Sequence, residues 1–168
     1  MNQVPPPLHS QRDPGDAWVE AANGQKYWGR FGAAGLLALD DERGVLMQHR
    51  ALWSHHGGTW GIPGGALHQG ETAMTGALRE AKEEAGVPRD AVEPFAMTVL
   101  DREVWTYTTV IANVIRQFIP VAGDEESLEL AWIPVAEVAD LDLHPAFGAA
   151  WPELRRLLSG DNGGFGHL

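Results

Sequence analysis

The sequence predicts an α/β domain in which a mixed β-sheet is sandwiched between helices. Three observations carry this reading. The segment Glu71 to Ala85 is built almost wholly of good helix formers, and Gly86 followed by Pro88 supplies its stop signal. Around it stand short stretches rich in Thr, Val, Ile and aromatic residues, the composition of strands. Near the C-terminus, Phe147, Trp151, Leu154 and Leu158 recur at helical spacing.

Taken in order, residues 1–16 hold Pro5, Pro6, Pro7 and Pro14 among polar residues and read as an extended N-terminal arm. Phe31 to Leu39 and Val45 to His49 read as strands, joined by the turn Asp40-Asp41-Glu42-Arg43-Gly44. His55 to Gly65 carries too much Gly and Pro for a helix. After the central helix, Phe95 to Leu100 and Tyr107 to Ile119 are expected as an antiparallel pair, and Leu128 to Ile133 as a further strand. Pro152 is expected to split or kink the last helix. Residues 159–168 are Gly-rich and read as a flexible tail, which leaves one domain over residues 17–158.

Composition narrows the function. The chain has 168 residues with 12 Lys+Arg against 23 Asp+Glu, a net charge of −11, so it repels polyphosphate backbones and is not expected to bind a nucleic acid polymer. It has no cysteine, which excludes disulfides, thiolate metal sites and a Cys nucleophile. No apolar run reaches the roughly 18 residues of a membrane span. The N-terminus lacks a basic-then-apolar leader, and a cytoplasmic location is expected.

The chemistry concentrates between Gly65 and Val87. On a helix, Glu80, Glu83 and Glu84 lie at i, i+3 and i+4, so three carboxylates share one face and oppose one another. Lys82 lies on another face, and Arg79 is adjacent. Clusters of oxygen ligands of this kind hold hard divalent cations such as Mg²⁺ or Mn²⁺. The preceding Trp60-Gly61-Ile62-Pro63-Gly64-Gly65 can bring backbone carbonyls to the same spot, because Gly tolerates tight conformations. Such a site would let an acidic protein bind an anion, the cation bridging like charges.

In this spacing the segment resembles the signature box of the Nudix hydrolases, with Gly65, Glu71, Arg79, Glu80, Ala81, Glu83, Glu84, Gly86 and Val87 at its fixed positions. The resemblance implies the Nudix fold over about Tyr27 to Leu158 and hydrolysis of a pyrophosphate bond in a nucleoside diphosphate linked to another group. It implies Mg²⁺, with Mn²⁺ as a substitute, held by Glu83, Glu84 and the Gly64 carbonyl. Glu80 is then a further ligand or the base that activates water. Arg79 and Glu71 would form an ion pair that orients helix and loop. A downstream carboxylate, Glu126 in the acidic stretch Asp124 to Glu129, is expected to complete the site.

Arg50, Trp53 and Trp105 are the candidates for substrate contact, while Trp132 and Trp151 are assigned to the core. His55-His56 reads as a polar loop, since adjacent side chains diverge. The marks of the ADP-ribose, dinucleoside polyphosphate, NADH and coenzyme A types are absent, Tyr107 lying slightly beyond the dinucleoside window. A MutT-like enzyme acting on a (d)NTP or a modified nucleotide is the expectation, with ADP-ribose or a nucleotide sugar as alternative substrates. Ala66 stands where the MutT branch often has lysine. A non-catalytic nucleotide-binding or regulatory module is the alternative from another class. A small-molecule nucleotide is the expected partner, and a homodimer is compatible with the relatives.

Overall fold

The computed structural model describes residues 13–52, 56–123 and 127–160. Two three-residue strands, β1 (Trp18–Glu20) and β2 (Lys26–Trp28), form a separate antiparallel hairpin. The main sheet comprises β3 (Ala33–Asp40), β4 (Gly44–Arg50), β5 (Trp60–Gly61), β6 (Gly64–Ala66), β7 (Val92–Asp101), β8 (Thr106–Val114) and β9 (Ser127–Ile133). Its spine runs β5-β4-β3-β8-β7, with β6 added to β3 and β9 to β4. Among the described strands β3 and β8 alone pair with each other in parallel; helix α1 (Ala73–Ala85) lies within the connection between them, and helix α2 (Pro145–Leu158) follows β9.

Strand alternation divides the core between the two helices. Leu36, Leu46, Val110 and Ala112 face α1, which meets them with Ala77, Ala81 and Ala85. These small residues at every fourth position let the helix lie close to the sheet. Leu37, Met47 and Ile111 face the other way and pack with Phe147, Trp151, Leu154 and Leu157 of α2. The helix–sheet–helix sandwich expected from the sequence is therefore present.

Helix α1 begins where the Thr72 side chain accepts the Thr75 N–H at 3.2 Å, so Glu71 and Thr72 precede the helix rather than open it. It ends at Gly86, whose φ of 66° is left-handed, and whose N–H and that of Val87 return to the Lys82 and Ala81 carbonyls.

Other boundaries shift for identifiable reasons. β8 stops at Val114, short of Ile119, because the Ile115 N–H turns back to the Ala91 carbonyl. Pro152 neither splits nor ends α2. It is exposed, so the Gly148 carbonyl that loses its helical donor can turn to water. Gly-rich as it is, the segment before α1 contributes β5 and β6. Within the expected N-terminal arm, residues 13–16 are tied down: Asp13 Oδ1 accepts from Gly15 N at 2.8 Å and from Gln69 N at 2.9 Å. Residues 1–12 and 161–168 lie outside the described residues.

The β3–β4 turn is closed by Asp40, which is only 6% exposed. Its carboxylate accepts the Glu42 and Arg43 N–H groups and the Arg43 guanidinium, each at 3.0 Å, and the Arg43 guanidinium lies 4.1 Å from the Trp132 ring centroid. The Arg43 side chain, with the turn N–H groups, holds the Asp40 pKa below its ordinary value against the opposing effect of burial. A depressed folded-state pKa contributes stability above the unfolded value near 4, and that contribution disappears as pH falls through the folded value. Asp40→Ala is expected to cost about 2 kcal/mol in denaturant unfolding at pH 7. Between pH 4 and pH 2 the wild type should lose this advantage and the two unfolding curves should converge.

Candidate active site

Four short elements meet at one edge of the sheet: β6, the loop from Leu67 to Thr72, the outer face of α1 and the chain after Phe118. β6 runs antiparallel to β3 with Gly64 opposite Gly35, and the Pro63 carbonyl accepts the Leu36 N–H at 3.0 Å. In that ladder the N–H and C=O of Gly64 both point away from β3. The Gly64 N–H donates to Glu84 Oε2 at 3.0 Å, which puts the Gly64 carbonyl on the side of that carboxylate.

Arg79 is the hub. Its Nε donates to Glu71 Oε2 at 2.8 Å and its Nη2 to Glu71 Oε1 at 2.9 Å, a two-pronged contact. Nη2 also donates to the Ala66 carbonyl at 3.1 Å, while Nη1 reaches Glu80 Oε1 at 2.9 Å and Glu83 Oε2 at 3.2 Å. Glu71 Oε1 in turn accepts the His68 N–H at 3.0 Å. The orienting pair expected from the sequence is thus formed, and it extends further than a pair. Arg79 offsets much of the repulsion between the helix carboxylates, a role that the sequence alone assigns to a bound metal ion.

The titration equilibria follow this geometry. Burial alone would lower the Arg79 pKa, but Glu71 and Glu80 more than compensate and hold it above the ordinary value. The Arg79 hydrogen bonds keep Glu71 below its ordinary value against burial. For Glu80 burial dominates and raises the pKa, Arg79 opposes this, and Glu83 adds to it.

Glu80, Glu83 and Glu84 do not converge into one cage. Among the described residues no group of three His, Asp or Glu side chains is arranged as a ready cation site. The reason is visible: Arg79 draws Glu80 and Glu83, whereas the Gly64 N–H takes Glu84. The side chain of Glu83 is 58% exposed and that of Glu80 only 14%, so Glu83 is the more accessible of the two. Glu80 is held close to β6, since a Cβ added to Gly65 would lie 2.7 Å from its Oε1.

The remaining candidates divide. The Gly123 N–H donates to the Glu84 carbonyl at 3.0 Å, which anchors the chain just before residues 124–126 to the end of α1. Glu126 itself, like Trp53 and His55, lies outside the described residues. Arg50 ends β4, and its charge acts on Tyr107 and on His56. Trp105 spends its ring on Tyr27, stacked at 4.7 Å, and its Nε1–H on the Trp28 carbonyl at 3.1 Å. This placement makes it a support for the β1–β2 hairpin. Trp151 is buried and Trp132 half-buried against the core, as assigned. His56 is exposed and contacts the His144 ring edge-on at 4.7 Å.

Removing the hub would leave partly buried carboxylates facing each other. Arg79→Ala is expected to cost about 3 kcal/mol in chemical denaturation, and Arg79→Lys should recover only part of it, because a lysine cannot make the two-pronged contact.

Comparison with known proteins identifies the family. The family model described as NUDIX domain matches residues 29–154. A Mycobacterium tuberculosis protein named, provisionally, 8-oxo-dGTP diphosphatase 3 is 48% identical over 163 residues, covering 89% of this chain and 74% of that one. A nucleoside triphosphate pyrophosphatase/Nudix hydrolase fusion protein of Bifidobacterium longum is 43% identical over 155 residues, 88% of this chain and 32% of its own length. The crystal structure of the Nudix hydrolase RenU from Mycobacterium smegmatis superimposes with a TM-score of 0.80 at 44% identity, covering 87% of this chain and 96% of that one.

Proposed function

The chain belongs to the Nudix family and is a hydrolase of nucleotide pyrophosphate bonds, and from that premise we propose that it cleaves purine (deoxy)nucleoside triphosphates, oxidised guanine triphosphate among them. The observation that carries this is the complete box folded around Arg79, with Glu80, Glu83 and Glu84 on the α1 face beside Gly64. The choice of a triphosphate is supported by the name of the tuberculosis relative and by the absence of the other substrate marks after the box.

The donor set fits a hard divalent cation. Three carboxylates and the Gly64 carbonyl are all oxygen ligands, which suit Mg²⁺ or Mn²⁺ and disfavour softer metals. Glu83, Glu84, Gly64 and Glu80 would hold it, with Glu126 as the further ligand expected from the sequence. Bound there, such a cation would neutralise phosphate oxygens and lower the pKa of a coordinated water.

The protein's own groups supply the rest. Arg79 restrains Glu80 and holds the box loop through Glu71 and the Ala66 carbonyl. Glu83, exposed and linked to Arg79 by one longer contact, can exchange that contact for another charge at little cost. Arg50 places a positive charge on the Tyr107 side of the site, where a phosphate oxygen can meet it.

The test is hydrolysis of a panel containing dNTPs, NTPs, oxidised guanine triphosphate, ADP-ribose, dinucleoside polyphosphates and nucleotide sugars, with products separated by chromatography. Mg²⁺-dependent cleavage of triphosphates, abolished by EDTA, is expected. Glu83→Gln and Glu84→Gln should each lower kcat by about a hundredfold or more while the melting temperature stays within a few degrees. Wild-type turnover in both variants overturns the site. Glu80→Gln separates its two roles: lost turnover with retained Mn²⁺ affinity marks it as the base, loss of both as a ligand.

A further inference from the structure

Tyr107, outside the motif, places its hydroxyl beside Gly35 and Gly64. It lies on β8, on the α2 side of the sheet, together with Ile111. Two glycines admit its hydroxyl: a Cβ added at Gly35 would lie 2.2 Å from that oxygen, and one at Gly64 would lie 2.6 Å from it. Gly35 and Gly64 are register partners across β3 and β6, so the pair opens a slot through which the phenol reaches the strand bearing the Glu84 contact.

What surrounds the hydroxyl is informative. Packing pushes its pKa above the ordinary value, the charges of Glu84 and Glu80 add to that, and Arg50 acts in the opposite sense. The phenol thus lies within electrostatic reach of both helix carboxylates and of the one arginine assigned to substrate. It nevertheless makes no hydrogen bond with any described residue. Because that oxygen is not fully buried, it opens to solvent, where a ligand acceptor can take the place of water.

We propose that the Tyr107 hydroxyl, seated in the Gly35–Gly64 slot, donates a hydrogen bond to the polyphosphate of the bound nucleotide. This rests on the triphosphate reading above. A phosphate oxygen beside Glu84 and Arg50 meets the phenol from the open side of the slot, and the resulting bond is charge-assisted. The slot explains why both glycines are needed: a methyl group at position 35 would push the hydroxyl out.

The experiment uses the full chain and compares wild type, Tyr107→Phe, Gly35→Ala and the double variant. Readouts are kcat/KM for dGTP and 8-oxo-dGTP, Mn²⁺ affinity without nucleotide by electron paramagnetic resonance, and melting temperature. Tyr107→Phe should lower kcat/KM by about ten- to a hundredfold. Its Mn²⁺ affinity should stay within about twofold and its melting temperature within a few degrees, because the variant removes a solvent-accessible hydroxyl and no hydrogen bond to a described residue. Gly35→Ala should reduce kcat/KM similarly in the wild type and much less in the Phe background. A Tyr107→Phe variant with wild-type kcat/KM overturns the proposal. So does one whose activity, Mn²⁺ affinity and melting temperature fall together, since that marks a structural residue. If the wild type cleaves no triphosphate, the underlying reading fails, and this proposal with it; cleavage with an indifferent Tyr107→Phe sinks the proposal alone.

Discussion

One guanidinium organises the site. Arg79 binds Glu71 through two of its nitrogens, the Ala66 carbonyl through one of these, and Glu80 and Glu83 through the third. It therefore joins β6, the loop that follows it and the C-terminal half of α1. Three glutamates within one helical turn would otherwise repel one another and the polarised C-terminal carbonyls of α1. The same cation that makes the helix tolerable also sets the spacing between carboxylates. On the function proposed above, a hard divalent ion entering this cluster would compete with Arg79 for Glu80 and Glu83, which would couple occupancy to side-chain geometry.

The glycines define what the site can reach. At Gly65 the backbone approaches the Glu80 carboxylate more closely than a side chain permits, and at Gly35 and Gly64 it yields space to a phenol from the opposite face of the sheet. The site is consequently supplied from both layers of the sandwich: carboxylates from the α1 side, a hydroxyl from the α2 side. The sheet separates two cores but not two functions.

Much of this was legible in the chain. The box is recognisable because its chemistry demands fixed residue types at fixed helical spacing, and Glu71 and Arg79 could be paired on that ground. Strand composition located β3, β4, β7, β8 and β9 to within a few residues. What escaped the sequence depends on partners far along the chain. The β1–β2 hairpin carries a local signal, Asn23-Gly24, with Gly24 at φ 83° and Asn23 accepting the Gln25 N–H, but its strands are too short to show alternation. Asp13 gives no sign that its acceptor serves Gln69. Tyr107 reads as an ordinary strand aromatic until Gly35 and Gly64 are brought beside it. Adjacency in the chain pairs Arg79 with Glu80, whereas its added grip on Glu71, Ala66 and Glu83 depends on how β6 and the loop fold over α1.

The parallel pairing of β3 with β8 has a consequence for how the molecule comes into being. Ala34 sits beside Thr108, and the box, from β6 to the end of α1, lies in the connection between them. Val110 and Ala112 of β8 complete the apolar floor on which α1 rests. During synthesis the carboxylate helix leaves the ribosome before that floor exists, and closing so long a connection is entropically slow. The acidic segment therefore passes through an interval in which it is made but unsupported. It acquires its final geometry only when a strand that belongs to no signature motif has arrived.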